Sequence, residues 1–364
     1  MKTVKHLLAF LMIILLSVFL CSCSQSAKAH AEKAIKKDLD LLKNLDSETT
    51  MQYISYQELF PDSDDSTKLS ADIKEVFSLF FQNFDYKILG ISVDSDEKNA
   101  SAQLKLTTLD AEALASDFVS ASLQEEILET ASGKENDNGN SLEQRYLLLY
   151  KLLKNNTYSS AERNTSIQLN NLGSSSEPDW EITHSSSLEN DLVGGLITYL
   201  SDPDLVPPAE TLTVYLKTLQ EMDVKQTTQW VREHTDELEK ISKKTLEEKQ
   251  MANYLGLDSI LNTSDSAKNA IASALMEQFH SCFNYKISST SVSGYLAEVD
   301  AELTTFDSNS ILTQYEKELN TYLASADAVI DGSQKRYNKS HELLLDSIRN
   351  NQATITATAT FHLI

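Results

Sequence analysis

The chain has 364 residues, 41% of them hydrophobic, with 31 basic against 54 acidic residues and a formal net charge of −23. That length allows about two domains of ordinary size, and the apolar fraction argues against wholesale disorder. The acidic excess argues against nucleic acid as a partner, because binding to a phosphate backbone needs clustered cations. Only 9 Gly and 5 Pro occur, which favours long helices and few elaborate loops.

The N-terminal segment has the organisation of a signal peptide. Lys2 and Lys5 precede an almost wholly apolar run over residues 7–20. This run is shorter than the ~20 residues of a membrane-spanning helix but fits the hydrophobic region of a signal peptide. No later segment is apolar over the ~18 residues that a transmembrane candidate needs, so the sequence predicts no transmembrane helix.

Cys23 follows this run, with Leu20 three positions before it and Ser22 immediately before it. The arrangement resembles the bacterial lipobox, in which cleavage makes the Cys the first residue and its thiol receives diacylglycerol. Cys21 fits less well, because Leu20 would then stand where a small residue is needed. We therefore predict a signal peptide over 1–22, lipidation at Cys23, a tether over 23–30 and a location on the extracytoplasmic face of the cell membrane. An ordinary secretory signal with incidental cysteines is the alternative.

The rest of the chain is organised around a repeated pentapeptide. Residues 84–88 read Phe-Asp-Tyr-Lys-Ile, and residues 283–287 read Phe-Asn-Tyr-Lys-Ile. Similarity continues on both sides of these two segments, which indicates one domain written twice. Three of the five prolines, Pro203, Pro207 and Pro208, mark the boundary between the copies. We therefore predict a first repeat over 31–201, a Pro-rich linker over 202–208 and a second repeat over 209–364.

Hydrophobic periodicity predicts the elements of the first copy. Its opening helix carries an apolar stripe of Ile35, Leu39, Leu42 and Leu45, and its second hairpin strand alternates apolar with polar residues. The predicted order is a helix through residue 45, a helix over 70–84, a hairpin of strands near 84–88 and 100–106, helices over 111–130 and 145–155, strands near 165–169 and 179–182, and a closing helix over 188–200.

The second copy repeats this order with two differences. An extra helical segment stands near 238–255, and the copy ends on its third strand without the Trp-x-Ile strand and closing helix of the first. The last strand, Thr354–Leu363, would therefore lie at a sheet edge, where unpaired backbone groups invite association. Three interpretations remain open: the sequence is a truncated product, another segment covers the edge, or the edge is a docking site for a strand of another envelope protein.

With the lipobox and both pentapeptides in view, the chain resembles uncharacterised surface lipoproteins of Gram-positive bacteria. The resemblance implies a lipid anchor followed by small domains in which helices pack on an antiparallel sheet. The element order is also similar to cystatin-like and NTF2-like folds, whose curved sheet wraps a helix. We therefore expect an α+β fold with two tandem repeats, the second lacking the last strand.

Few residues are candidates for chemistry. Tyr86 and Tyr285, each followed by Lys, are expected to point into the core rather than to contact a ligand. Asp110 and Asp307 are expected to cap helices. Cys282 is a lone thiol, which we expect to be buried and inert. The histidines show no spacing typical of a metal site, and no nucleophile or phosphate-loop motif occurs. The sequence therefore predicts no catalytic, cofactor-binding or metal-binding residues.

These observations lead to one main functional hypothesis and one alternative. The chain is expected to be a non-enzymatic, lipid-anchored binding or scaffolding module of the cell envelope. The alternative is a protein with a cavity between sheet and helices that binds, or even hydrolyses, a small molecule.

Overall fold

The computed structural model describes residues 26–44, 53–54, 59–61, 71–132, 141–174, 177–233 and 265–364. It confirms the predicted α+β class, with one antiparallel sheet of four strands and a second of three. Cys23, the signal peptide and the extra segment at 238–255 lie outside the described residues.

The described residues divide into two compact units. Unit 1 comprises those up to Val119 and those between 141 and 205, and unit 2 comprises those from 120 to 132 and from 206 onward. The boundary at Leu205 lies inside the predicted linker, 202–208.

Unit 1 follows the predicted order of elements. In chain order these are α1 (26–43), α2 (Ala71–Phe80), β1 (Asp85–Val93), β2 (Asn99–Leu109), α3 (Ala111–Ala131), α4 (Leu142–Asn155), β3 (Ser160–Asn171), β4 (Trp180–Ile182), α5 (Ser186–Leu192) and α6 (Leu196–Leu200). The strands pair in the order β1-β2-β3-β4, each antiparallel to the next.

The predicted stripe of α1 is buried, with Ile35, Leu39 and Leu42 each at most 1% exposed. The stripe continues toward the N-terminus through Ala27 and Ala31, which are also buried. Residues 26–30, assigned to a tether from their polar composition, are therefore helical. Two alanines at a spacing of four are enough to extend the apolar face of a helix.

Aromatic side chains join the aliphatic ones in the core of unit 1. Phe60 packs against Phe118 and Tyr146, with ring centroids 5.3 Å apart in each pair. Tyr53 stacks on His184 at 4.4 Å and donates its hydroxyl to Asp38. Such pairs add specific geometry to the burial of apolar area.

Unit 2 contains α7 (Pro208–Glu221), α8 (Val224–Glu233), α9 (Asp265–Cys282), β5 (Asn284–Ser293), β6 (Leu296–Phe306), α10 (Ser308–Leu323), α11 (Ala326–Ile330), α12 (Ser333–Arg349) and β7 (Thr354–Leu363). The sheet order is β5-β6-β7. Leu212 and Leu216 on α7 pack with Val299 and Ala301 on β6, which places the core between α7 and one face of the sheet.

The second half of α3 belongs to unit 2, although the sequence assigns this helix to the first repeat. Ile127 and Ala131 are buried with Met222, and the half-buried Leu219 and Tyr215 pack against them. The helix of 21 residues is long enough to supply apolar side chains to both cores.

Asp110 and Asp307 occupy the predicted cap positions. Asp110 accepts a hydrogen bond from the backbone N–H of Ala113 at 3.2 Å, and Asp307 accepts one from Asn309 at 3.0 Å. Their own N–H groups donate to Ser159 and Ala353, the residues just before β3 and β7. The same junction is therefore built twice, as a duplication requires.

Both hairpins carry a β-bulge at the equivalent place. The register shifts between Ile88 and Gly90 in β1 and between Ile287 and Ser289 in β5, so one extra residue stands in each first strand. A bulge is a backbone feature that the pentapeptide similarity alone does not predict.

The predicted closing helix over 188–200 is instead two short helices, α5 and α6. Gly194 and Gly195 separate them with φ values of +68° and +88°. Left-handed backbone interrupts an α-helix, and glycine adopts it without steric cost.

Candidate functional site

The strand for which the sequence left docking open as one of three interpretations has the bounds predicted for it, Thr354–Leu363. It pairs with β6 over ten consecutive residues without a register shift, from Phe306 opposite Thr354 to Ala297 opposite Leu363. No described strand pairs with its other side. We call that side, over Thr354–Leu363, the docking edge.

The pairing shows which backbone groups the docking edge exposes. Asp307 donates its N–H to Ala353 at 2.9 Å, so this pair is hydrogen-bonded. Bonded and non-bonded pairs alternate along an antiparallel ladder, so the odd-numbered residues from Ile355 bond to β6. The N–H and C=O groups of Thr356, Thr358 and Thr360 therefore point away from β6.

The other three edges of the two described sheets are blunted. The edges at β1 and β5 are each broken by the bulge described above. At the far side of the four-stranded sheet, β4 is only three residues long and pairs with residues 169–171 of β3 alone. Residues 160–168 of β3 have no described strand partner on that side, but this stretch carries the charged side chains of Glu162 and Arg163. Bulges and short edge strands are the usual means of preventing unwanted strand pairing. β7 lacks both, and its sequence contains no Lys, Arg, Asp, Glu, Pro or Gly.

The two faces of β7 differ in chemistry. Even-numbered residues form a polar row of four threonines ending at His362, all exposed. Odd-numbered residues form an apolar row, in which Ile355 is 48% exposed and Phe361 and Leu363 are half-buried. Phe361 and Leu363 pack against the core between α7 and β6, whereas Ile355 and Ala357 are exposed. We call the apolar row of Ile355, Ala357, Ala359, Phe361 and Leu363 the open face.

Carboxylates of β6 hold the polar row in place. Asp300 accepts hydrogen bonds from Ser289 of β5 and Thr360 of β7, each at 2.6 Å. These bonds hold the pKa of Asp300 below its usual value, because they stabilise the ionised form. On the same face, Glu298 lies 3.5 Å from the ring of His362.

The repeated Tyr-Lys pairs make contacts within and next to each sheet. Tyr86 donates its hydroxyl to Asp40 at 2.7 Å, and burial together with this bond raises the tyrosine pKa. Tyr285 is half-buried and reaches the backbone oxygen of Thr213 at 3.4 Å. Lys87 is exposed, and Lys286 lies 3.8 Å from Glu302. Both tyrosines are half-buried on the core side of their strands, as expected, and both lysines are exposed on the opposite side.

Cys282 is half-buried, and its Sγ donates to the backbone oxygen of Gln278 at 3.1 Å. Burial raises the pKa of this thiol, which disfavours the thiolate that a nucleophile needs. Its neighbour His280 has its Nε2 atom 2.7 Å from the hydroxyl of Thr227, which joins α9 to α8.

One polar cluster in unit 1 was missed by sequence reasoning. Asp191 of α5 receives the hydroxyl of Thr165 and lies 3.3 Å from a guanidinium nitrogen of Arg163. Arg163, Thr165 and the buried Ile167 are spaced two residues apart along β3. Their side chains therefore lie on the same face of the strand. An arginine in phase with apolar residues is the feature that could have indicated this cluster.

The described parts of the chain contain no group of three or more His, Cys, Asp or Glu side chains arranged to hold a metal ion. Within those same parts, no helix combines the length and apolarity needed to cross a bilayer.

Comparison with known proteins leaves the geometry as the main guide to function. No protein-family model, curated protein or solved structure shows significant similarity to this chain.

Proposed function

We propose that this chain is a lipid-anchored protein of the extracytoplasmic face of the cell membrane, held there through Cys23. In this proposal it is a non-enzymatic binding or scaffolding module, and it binds another envelope protein along the docking edge of β7.

The observation that supports binding best is the contrast between β7 and the other sheet edges. A partner strand added to β7 would satisfy the outward backbone groups of Thr356, Thr358 and Thr360 with main-chain hydrogen bonds. A ten-residue edge without charge or bulge offers an unusually regular template for such pairing.

The proposal of a lipid anchor is supported by the lipobox alone. Two or three acyl chains hold a protein at a bilayer stably, since each buried CH₂ contributes about 0.8 kcal/mol. An anchored binding module needs no further membrane segment.

The small-molecule alternative stays a prediction, and the aromatic packing of the core around Phe60 favours the binding module over it.

The anchor is tested by metabolic labelling with a fatty-acid analogue and mass spectrometry of the mature N-terminus. Cys23→Ser should abolish labelling and release the protein from membranes. Cys21→Ser, the matched control, should leave both unchanged because residue 21 is removed with the signal peptide. Labelling that survives Cys23→Ser would contradict the proposed anchor.

Docking is tested by chemical crosslinking and pull-down of the full chain from native membranes. Thr358→Pro removes an outward N–H that β6 does not use, so partner recovery should fall while the sheet persists. Asn164→Pro is the matched control, because Asn164 pairs with Lys105 as Thr358 pairs with Glu302. Equal recovery with both variants would contradict docking at β7.

A further inference from the structure

Both units contain a hairpin followed by a third antiparallel strand, but within the described residues only unit 1 has a further strand and helix packed on that third strand. Leu169, Asn170 and Asn171 of β3 pair with Ile182, Glu181 and Trp180 of β4. Trp180 and Ile182 are buried, as are Leu188 and Leu192 of α5, which packs on β2 and β3. Together β4 and α5 act as a cover over the apolar face of β3.

The equivalent positions of unit 2 have no such cover among the described residues. Ile167 and Leu169 of β3 pair with Ala102 and Ala100, as Phe361 and Leu363 of β7 pair with Val299 and Ala297. Ile167 is 2% and Leu169 0% exposed, whereas Phe361 and Leu363 are half-buried and Ala357 is exposed. The more exposed residues of β7 therefore stand at the positions equivalent to those that β4 and α5 cover in unit 1.

The chemistry under the cover also differs between the units. Arg163 and Thr165 pair with Leu106 and Leu104, and in unit 2 Ala357 and Ala359 pair with Leu303 and Ala301. In unit 1, Arg163 and Thr165 are satisfied by Asp191 of the cover. A carboxylate brought against two alanines would lose its water without gaining a partner, which is costly. The cover that fits unit 2 is therefore apolar at that position.

We infer that the partner of β7 is a strand-helix segment of another protein, resembling residues 178–201 but apolar where Asp191 stands. Its strand pairs with the C-terminal end of the docking edge, and its helix lies on the open face. This inference rests on the proposed function and adds the chemistry of the partner.

A second copy of this chain fits less well as the occupant. Pairing of β7 with the β7 of another copy would satisfy the docking edge, but it would leave the apolar residues Ile355 and Ala357 exposed on their face. Each copy also carries a large excess of acidic over basic residues, which opposes association of two copies.

The inference is tested with fluorescent peptides titrated against the full lipidated chain in detergent micelles. One peptide is residues 178–201 with Asp191→Leu, a second keeps Asp191, and a third contains only the strand, residues 178–184. The Asp191→Leu peptide should bind at least about tenfold more tightly than the other two, because it alone covers both alanines without burying a charge.

A reciprocal change in the protein makes the test independent of loss of folding. Ala357→Arg recreates the arginine of unit 1, so this variant should prefer the peptide that keeps Asp191. A merely destabilised sheet would weaken every peptide and would not reverse the preference. Failure of the preference to reverse would contradict the assigned chemistry.

The outcomes separate this inference from the proposed function. Equal affinity for the strand-only and Asp191→Leu peptides would overturn the helix contact while leaving edge docking intact. No binding of any peptide would overturn the inference, while the membrane pull-down tests docking separately. Sedimentation showing a dimer that Thr358→Pro dissociates would assign the edge to a second copy and would also overturn it.

Discussion

At the scale of single residues, two glycines directly after α5 lie close to residues of β2 and β3. Gly194 and Gly195 both have left-handed backbone, and a Cβ atom on Gly195 would clash with the guanidinium of Arg163. That guanidinium is held by Asp191 three residues before the first glycine. The turn and the ion pair therefore constrain each other.

Gly195→Ala is expected to destabilise the protein by more than Gly294→Ala. Both positions have positive φ, so each substitution costs about 1–2 kcal/mol of backbone strain. Around Gly294 no atom lies within 4 Å of an added Cβ, whereas at Gly195 the clash with Arg163 adds to the strain. Urea denaturation measures the difference, and equal losses would show that Arg163 can move away freely.

Asp300 supplies a prediction about pH. Its pKa is lowered chiefly by the hydrogen bond from Ser289, then by that from Thr360. Because the folded pKa is below the unfolded one, the stabilisation is complete above the unfolded value and is lost as pH falls through the folded value. Ser289→Ala should therefore raise the pKa of Asp300 in a carboxyl NMR titration. Ser291→Ala, at the next position on the same face, should leave the pKa of Asp300 unchanged. A raised pKa in both variants would show that the shift does not depend specifically on the hydrogen bond from Ser289.

At the scale of elements, the best-predicted features were those with a local cause. Period-two alternation predicted β2 and β6, and Asp110 and Asp307 predicted where the next helices begin. The paired bulges and the division of the closing helix were missed. A bulge depends on how two strands align, and the helix break required Gly194 and Gly195 to be recognised as left-handed rather than merely tolerated within a helix.

For the candidate site, too, the sequence predicted only the features that have a local cause. The bounds of β7 were predictable because its alternation is strict and an Asn-Asn pair precedes it. Whether its edge is open depends on residues far away in the chain, which local patterns do not encode. The cover of unit 1 was predicted as a strand and a helix, but its polar contact between Asp191 and Arg163 was not.

The caps give the prediction at this scale. Asp110→Ala and Asp307→Ala should each lower the free energy of unfolding by about 1 kcal/mol, because first-turn N–H groups lose their acceptor. The Asn variants should restore most of that loss, since the amide oxygen also accepts a hydrogen bond. Chemical denaturation of all four variants provides the comparison. Asn variants as unstable as the Ala variants would show that charge, rather than capping, is the important property.

At the scale of the whole molecule, the two units share one architecture but differ at the third strand of the sheet. In unit 1 the third strand is covered by β4 and α5, and in unit 2 the same strand retains a regular edge and a partly exposed apolar face. A duplicated domain can keep its core while one copy gains a binding surface, because the cover lies outside the conserved hairpin and helices. The lipid anchor proposed at Cys23 would confine that surface to the membrane.

Residue-resolved hydrogen exchange of the full chain without a partner tests the open edge most directly. The amides of Ile355, Ala357 and Ala359 bond to β6 and should exchange slowly, whereas those of Thr356, Thr358 and Thr360 should exchange fast. The threonine amides should become protected when the Asp191→Leu peptide is added. Equal protection of both sets in the free protein would show that the chain already covers β7, and would contradict the proposed docking edge.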